Sequence, residues 1–142
     1  MINSIIEGIS ISLNNAFNYK IYTESIEQGF KEPCFFIQSV STLEKKQLMG
    51  RYQKTNLFDI LYFPKGKNSN AECLEVAENL YSLLGYIEDS NNNLLHGTSM
   101  NYKISDGILH FFVNYNFPIY RPKDKLPNME ILNYKEKVKK KV

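Results

Sequence analysis

The sequence has no tryptophan, and only two cysteines and two histidines occur among its 142 residues. The cysteines, Cys34 and Cys73, form no CxxC motif and no Cys/His spacing of the kind that binds a metal, so two reduced thiols are expected. The sequence also shows no Cys/His arrangement that would support nucleophilic catalysis by either cysteine. We therefore predict no catalytic residue, no cofactor and no metal ion.

Long apolar runs and a strong excess of one charge are also missing. The formal net charge is +2, which does not indicate a general polyanion binder. No apolar run approaches the roughly 20 residues that span a bilayer, so no membrane association is expected. The first residues, MINSIIEGIS, have no basic segment and include Glu7, which is untypical of a signal peptide. The chain is expected to be made and folded in the cytoplasm.

Apolar residues recur at helical spacing in two segments. The spacing predicts helices over residues 2–16 and 70–84, and Gly85 suits the position after the second helix. A short strand is predicted in YKIYTE, residues 19–24. The length is sufficient for one domain with a real core.

Two long strands, roughly 34–43 and 49–63, are predicted around a charged turn at residues 44–46. In EPCFFIQSV, Phe35 and Phe36 are neighbours and must point to opposite faces of a sheet. The second strand is apolar on both faces too. One face holds Phe58, Ile60 and Tyr62, and the other holds Leu57, Asp59, Leu61 and Phe63. Two short helices cannot cover both faces, so the second face is expected to meet another surface.

The Asp106-Gly107 pair predicts a two-residue hairpin turn between the last two strands. This turn pairs Lys103 with His110 on one face and His96 with Phe117 on the core face, so the histidines cannot share a metal or a proton. The same register gives the remaining pairs Leu94–Ile119, Gly97–Asn116, Ser99–Asn114, Met100–Val113, Tyr102–Phe111 and Ile104–Leu109.

The composition changes after Tyr120, where RPKDKLPN forms a charged, proline-rich linker. An apolar patch follows, and the last residues, KEKVKKKV, are basic and expected to be solvated. We predict an α+β domain over residues 1–120, with a mostly antiparallel sheet packed with two helices, and an extended arm over residues 121–142. The patch is predicted to form a strand that pairs with a sheet, and its residues are Met129, Ile131, Leu132 and Tyr134.

Two residues invite a functional interpretation. Asp59 lies among apolar residues in LFDILYF, where an unpaired carboxylate is costly, so a structural ion pair is favoured over catalysis. Phe112 points outward beside Asn101, but base-stacking surfaces interleave aromatic with basic residues, which are few here. Contact with a protein partner or partial cover by the chain itself is favoured over base stacking for Phe112.

Three segments, together with the N-terminal helix, resemble a known family. They are IYTESIEQGFKEPCFFI (21–37), FDILYFP (58–64) and DGILHFFVNYNF (106–117). They are similar to small phage tail terminators of contractile-tailed phages, defective prophages and phage-tail-like bacteriocins such as tailocins and R-type bacteriocins. The resemblance covers about residues 2–134.

The resemblance implies a structural protein and not an enzyme. Proteins of this kind form a hexameric ring that caps the tail tube and sheath, ends polymerisation and presents a surface to the neck or collar. The implied partners are the tube protein, the sheath protein and a neck or head-joining protein, with DNA involved only by passage through the ring. The implied location is the head-proximal end of a tail assembled in the bacterial cytoplasm.

A ring requires subunit contacts, which no family motif specifies. We expect them at the apolar strands and the arm, with the interface residues Phe35, Ile37, Leu57, Leu61, Phe112, Met129, Ile131, Leu132 and Tyr134. The alternatives are another neck component, such as a head–tail connector or tail-completion protein, a small nucleic-acid-binding module, or a small enzyme.

Overall fold

The order of helices and strands follows the alternation of the sequence patterns. The structure, a computed structural model, describes residues 2–24, 31–66 and 69–122. The elements are α1 (Ile2–Phe17), β1 (Lys20–Tyr22), β2 (Cys34–Lys46), β3 (Arg51–Phe63), α2 (Ser69–Leu83), β4 (Tyr86–Glu88), β5 (Leu94–Ser105) and β6 (Ile108–Tyr120). The predicted α+β class is confirmed. The predicted strand from Met129 to Tyr134 lies outside the described residues.

The strands form one six-stranded sheet in the order β1-β2-β3-β6-β5-β4. Strand β1 runs parallel to β2, and every other neighbouring pair is antiparallel. The long strands β3 and β6 lie at the centre and pair from Arg51–Tyr120 to Tyr62–Leu109. Because β1 and β4 have three residues each and pair with only one end of β2 and of β5, most of those two long strands has no outer neighbour among the described strands.

Both helices pack on one face of the sheet, which we call the core face. The apolar stripe of α1 includes Ile5, Ile9 and Leu13, all fully buried. The sheet contributes alternate residues to this core, as expected from the period of two. The sheet residues of this core cluster that are fully buried are Phe35, Ile37, Phe58, Ile60, Leu109, Phe111, Val113 and Tyr115.

The turn between β2 and β3 was predicted in the wrong place. Glu44, Lys45 and Lys46 belong to β2, and Glu44 pairs with Lys54 across the strands. Opposite charges in facing positions stabilise strand pairing, so a charged run that suggests a turn can continue a hairpin. The chain reverses at residues 47–50, where Met49 and Gly50 have φ values of 60° and 77°.

No strand was predicted between α2 and the last hairpin, but the structure has β4 there. Tyr86 to Glu88 pair with β5, and the turn follows at residues 89–93. The side chain of Asp89 organises this turn by accepting hydrogen bonds from the backbone N–H groups of Asn91 and Asn93 at 2.9 and 2.8 Å. Gly85 and the asparagines at 91–93 are residues typical of turns, and they obscure so short a strand in the sequence.

The last hairpin has the predicted turn but only part of the predicted register. Asp106 and Gly107 both have positive φ, and the pairs from Ser105–Ile108 to Asn101–Phe112 are those expected. A bulge between Thr98 and Asn101 then shifts the register, so that Gly97 faces Tyr115 and Thr98 faces Asn114. The predicted pairs before the bulge are therefore wrong, among them Leu94–Ile119, His96–Phe117, Gly97–Asn116, Ser99–Asn114 and Met100–Val113.

The bulge also exchanges the faces of the strand. One extra residue reverses the inward and outward positions that follow it. Leu95 and Gly97 are buried, whereas Leu94 is 70% exposed and His96 is exposed. The placement of His96 on the core face was wrong; its ring contacts Tyr86, with the centroids 4.5 Å apart.

The turn gives a first testable prediction. Gly107 has a φ of 75°, which a β-branched residue adopts only with strain. We expect Gly107→Val to lower the free energy of unfolding by about 1–3 kcal/mol, measured by thermal or urea unfolding. Gly66→Val is the matched control, because a Cβ there has ordinary contacts only, with the nearest atom 3.6 Å away. Equal stability of the two variants would show that the turn is formed differently.

Candidate interaction surfaces

The face of the sheet opposite the helices, which we call the open face, is apolar at its centre. Phe36, Leu57, Leu61 and Phe112 are half-buried there, although no helix among the described residues packs on this face. Phe36 pairs with Leu61, and Phe112 pairs with Asp59, so these side chains form a continuous patch across β2, β3 and β6. Contiguous exposed apolar side chains on a sheet are typical of a protein interaction site.

A hydrogen-bonded pair of polar side chains, Asp59 and His110, lies within this patch. His110 Nδ1 is 3.0 Å from Asp59 Oδ2, and the exposed fractions of the two side chains are 23% and 7%. Because a carboxylate only accepts hydrogen bonds, Nδ1 carries the proton and donates. Asp59 Oδ1 is buried and has no hydrogen-bond donor among the described residues. Asp59 therefore has the partner that its burial was expected to require, and the contact is an ion pair only if the His110 ring is protonated.

Neither cysteine forms a reactive site. Both are buried and free, and burial raises the pKa of the Cys34 thiol to about 11. Burial likewise raises the pKa of Cys73. Low thiolate content makes both side chains poor nucleophiles. Among residues 2–24, 31–66 and 69–122, no group of three or more His, Cys, Asp or Glu residues is placed to hold a metal ion.

The residues predicted for the subunit interface are distributed over three places. Phe35 and Ile37 are fully buried under the helices, so their side chains form core and not surface. Leu57, Leu61 and Phe112 lie on the open face, where their interface role stays a prediction. Phe36, which the prediction omitted, is the β2 residue that faces outward beside Leu61. The remaining four, Met129, Ile131, Leu132 and Tyr134, are outside the described residues.

A second surface was not anticipated from the sequence. The turn at residues 47–50, which we call the hairpin tip, carries Leu48 and Met49 with exposed fractions of 85% and 87%. The backbone is fixed by hydrogen bonds from Gln47 N to Arg51 O at 2.7 Å and from Arg121 N to Gly50 O at 2.8 Å. Two large apolar side chains are therefore presented to solvent on a defined turn.

Arg121 contacts both strands of this hairpin next to the tip. Its guanidinium donates to both carboxylate oxygens of Glu44, at 2.6 and 3.2 Å, and lies over the ring of Tyr52. Hydrogen bonding from Arg121 holds the pKa of Glu44 below its ordinary value. A planar guanidinium fixes a carboxylate in two directions, which limits twisting of the hairpin.

A third feature is a groove where the last turns of the two helices approach each other, which we call the helical groove. Ala16 and Phe17 line it from α1, and Asn79, Ser82 and Leu83 line it from α2. The cavity measures about 500 Å³ and opens to solvent. Neither helix has a basic residue in its last turn, so the negative ends of both helix dipoles remain uncompensated by their own side chains.

Nothing in the described part of the chain is suited to crossing a membrane as a helix, since neither α1 nor α2 is long and apolar enough.

Comparison with known proteins then identifies the family. A search of curated proteins finds no match to this chain. A family model described as "Phage tail terminator protein" matches residues 4–127, which is most of the chain. This confirms the resemblance found in the three sequence segments. The family is a structural one and not a family of enzymes, which agrees with the lack of a catalytic pattern. The chain belongs to the phage tail terminator family.

Proposed function

We propose that this chain forms a hexameric ring that caps the tube and sheath of a contractile tail. Capping ends polymerisation of both, and the outer side of the ring forms the surface that faces the neck or collar. The parent particle is a contractile-tailed phage, a defective prophage or a phage-tail-like bacteriocin. The subunit is made in the bacterial cytoplasm and joins the head-proximal end of the tail. DNA meets it only by passage through the ring.

The observation that carries this proposal is the open face of the sheet. Its half-buried apolar residues, with Leu61 at the centre, are apolar area that a neighbouring subunit can remove from water, at about 25 cal/mol per Å². A ring needs a contact between two different patches that closes on itself. The match to the terminator family supports this assignment over another neck component, a nucleic-acid-binding module or an enzyme.

The first functional prediction concerns tail length. Deletion of the gene should give tails of uncontrolled length in electron micrographs, and the wild-type gene should restore uniform tails. Leu61→Glu, which places a charge in the apolar open face, should fail to restore them although the purified variant remains folded. Ile11→Glu is the matched control on the solvent side of α1, where Ile11 is 56% exposed, and it should restore uniform tails. Uniform tails in the deletion strain would refute the proposed function.

The second functional prediction concerns the arm. The segment from Met129 to Tyr134 is proposed to add a strand to the sheet of the adjacent ring subunit, since a strand of this length is unstable alone. Truncation after Lys125 should then abolish the ring while the remaining domain keeps its melting temperature. A ring that persists after truncation would exclude the arm as an assembly element. A fall in melting temperature would instead place the arm on its own subunit.

A further inference from the structure

The charges of the molecule are separated between two regions. The helices α1 and α2 contain no lysine or arginine, and their charged residues are Glu7, Glu72, Glu75 and Glu78. The hairpin of β2 and β3 has the opposite sign near its tip, where Glu44 is outnumbered by Lys45, Lys46, Arg51 and Lys54. With a formal net charge of only +2, the chain has an acidic helical side and a basic hairpin.

Two of the acidic residues, Glu75 and Glu78, lie one turn before residues of α2 that line the helical groove. Glu75 lies one helical turn before Asn79, and Glu78 lies one turn before Ser82, so both glutamates share the stripe of α2 that lines the groove. Glu75 and Glu78 are exposed. Phe17 and Leu83 provide the apolar lining. The groove therefore has an apolar lining, and acidic side chains of α2 lie beside it.

The hairpin tip has the complementary properties. Leu48 and Met49 are its most exposed side chains, and the lysines and Arg51 flank them. With exposed fractions of 85% and 87%, these two side chains are not covered by the described part of their own subunit. A cavity of about 500 Å³ is large enough to receive two such side chains, and neither surface needs to refold.

We propose that the hairpin tip of one subunit inserts into the helical groove of the next subunit. Leu48 and Met49 bury themselves against Phe17 and Leu83, while the basic flank faces the glutamates of α2. This inference rests on the proposed ring and specifies one of its subunit contacts. Complementary charge steers the encounter and fixes the orientation, and the apolar tip supplies the buried area.

A contact of this type is heterologous, because the tip and the groove are different surfaces of the same chain. Each docking event leaves one free tip and one free groove, so subunits add until the series closes. A symmetric dimer forms through this contact only if the tip of each subunit enters the groove of the other at the same time. The order of contacts is therefore head to tail, as a closed ring requires.

Disulfide cross-linking within assembled tails tests the contact. Met49→Cys together with Ser82→Cys places one thiol at the tip and one in the groove, and the native thiols do not compete because they are buried. Oxidation should give a ladder of covalent oligomers from the doubly substituted chain and none from either single variant. A ring visible on tails of uniform length, without a ladder, would overturn the tip contact and leave the proposed function standing. Tails without any ring would overturn both.

A mixing experiment on the purified chain adds an independent measurement at concentrations where the wild type self-associates. Leu48→Asp with Met49→Asp disables the tip, and Asn79→Arg with Ser82→Arg disables the groove. Each variant alone should remain at the monomer mass of 16.6 kDa. The equimolar mixture should form dimers that grow no further, because only one intact tip and one intact groove can meet. Rings formed by either variant alone, or a mixture that stays monomeric, would refute the contact; Ile11→Glu is the control that should still form rings.

Discussion

Replacing Gly97 with alanine should destabilise the protein by about 3 kcal/mol or more, at the upper end of the cost of overpacking a core. A Cβ at this position would overlap the carbonyl oxygen of Leu84 and lie 3.0 Å from Val113 Cγ2. The carbonyl cannot move away cheaply, because it accepts the hydrogen bond of the buried Tyr115 hydroxyl at 2.7 Å. Gly97 N also donates to Gly85 O at 2.8 Å, which fixes the separation of the two segments.

Gly85→Ala is the matched control for this change. It adds the same methyl group to the same junction, but the nearest atom to the new Cβ is 3.5 Å away, which is ordinary contact. Urea unfolding at the same temperature should therefore show Gly97→Ala to be less stable than Gly85→Ala by most of the predicted loss of about 3 kcal/mol. If Gly97→Ala unfolds at the same urea concentration as Gly85→Ala, the end of α2 does not lie against β5 as described.

The faces of the sheet were predictable from the sequence because alternation is a local property. The residues of β3 were assigned to the correct faces, with Ile60 buried and Leu61 on the open face. Asp59 was expected to have an ionic partner, and Phe112 was expected beside Asn101. The faces follow from the period of two, the partner of Asp59 from the cost of burying a lone carboxylate, and the Phe112–Asn101 pair from the register of the nearby turn.

The errors in the register of the last hairpin arose where one extra residue in β5 exchanged the inward and outward positions of the strand. The bulge before Asn101 includes Ser99 with a φ of 51°, and no glycine or proline marks it in the sequence. A residue inserted there moved His96 from the predicted core to the surface. Bulges depend on how the whole strand curves over the helices, so a hairpin register extrapolated from its turn fails beyond the first bulge.

The hairpin tip and the helical groove were missed for another reason. Charged residues from Glu44 to Lys46 suggested a turn, and their cross-strand pairing with β3 is a tertiary feature. Once the turn is moved to residues 47–50, Leu48 and Met49 become surface residues. The groove depends on where two separate helices end relative to each other, which their separate periodicities do not specify.

His110→Leu should lower the free energy of unfolding by about 2–4 kcal/mol, because leaving a buried acceptor without its hydrogen bond costs roughly 1–3 kcal/mol and more for a charged group. The substitution leaves the carboxylate of Asp59 without its partner at 3.0 Å, in a site where only 7% of that side chain is exposed. Asp59 Oδ1 already lacks a donor among the described residues, so no second hydrogen bond compensates. The partial exposure of His110 places the expected loss below that for a fully buried pair.

A double-mutant cycle separates this cost from a loss of packing. Asp59→Leu combined with His110→Leu removes both charged partners, and apolar replacement of a buried pair is often neutral or stabilising. The double variant should therefore recover most of the stability lost in His110→Leu, with a coupling of about 1–3 kcal/mol between the sites. Additive losses in the cycle would mean that the two side chains do not interact. A stable double variant would also have a more apolar open face, and would test by tail length whether the Asp59–His110 pair contributes to ring assembly beyond its contribution to stability.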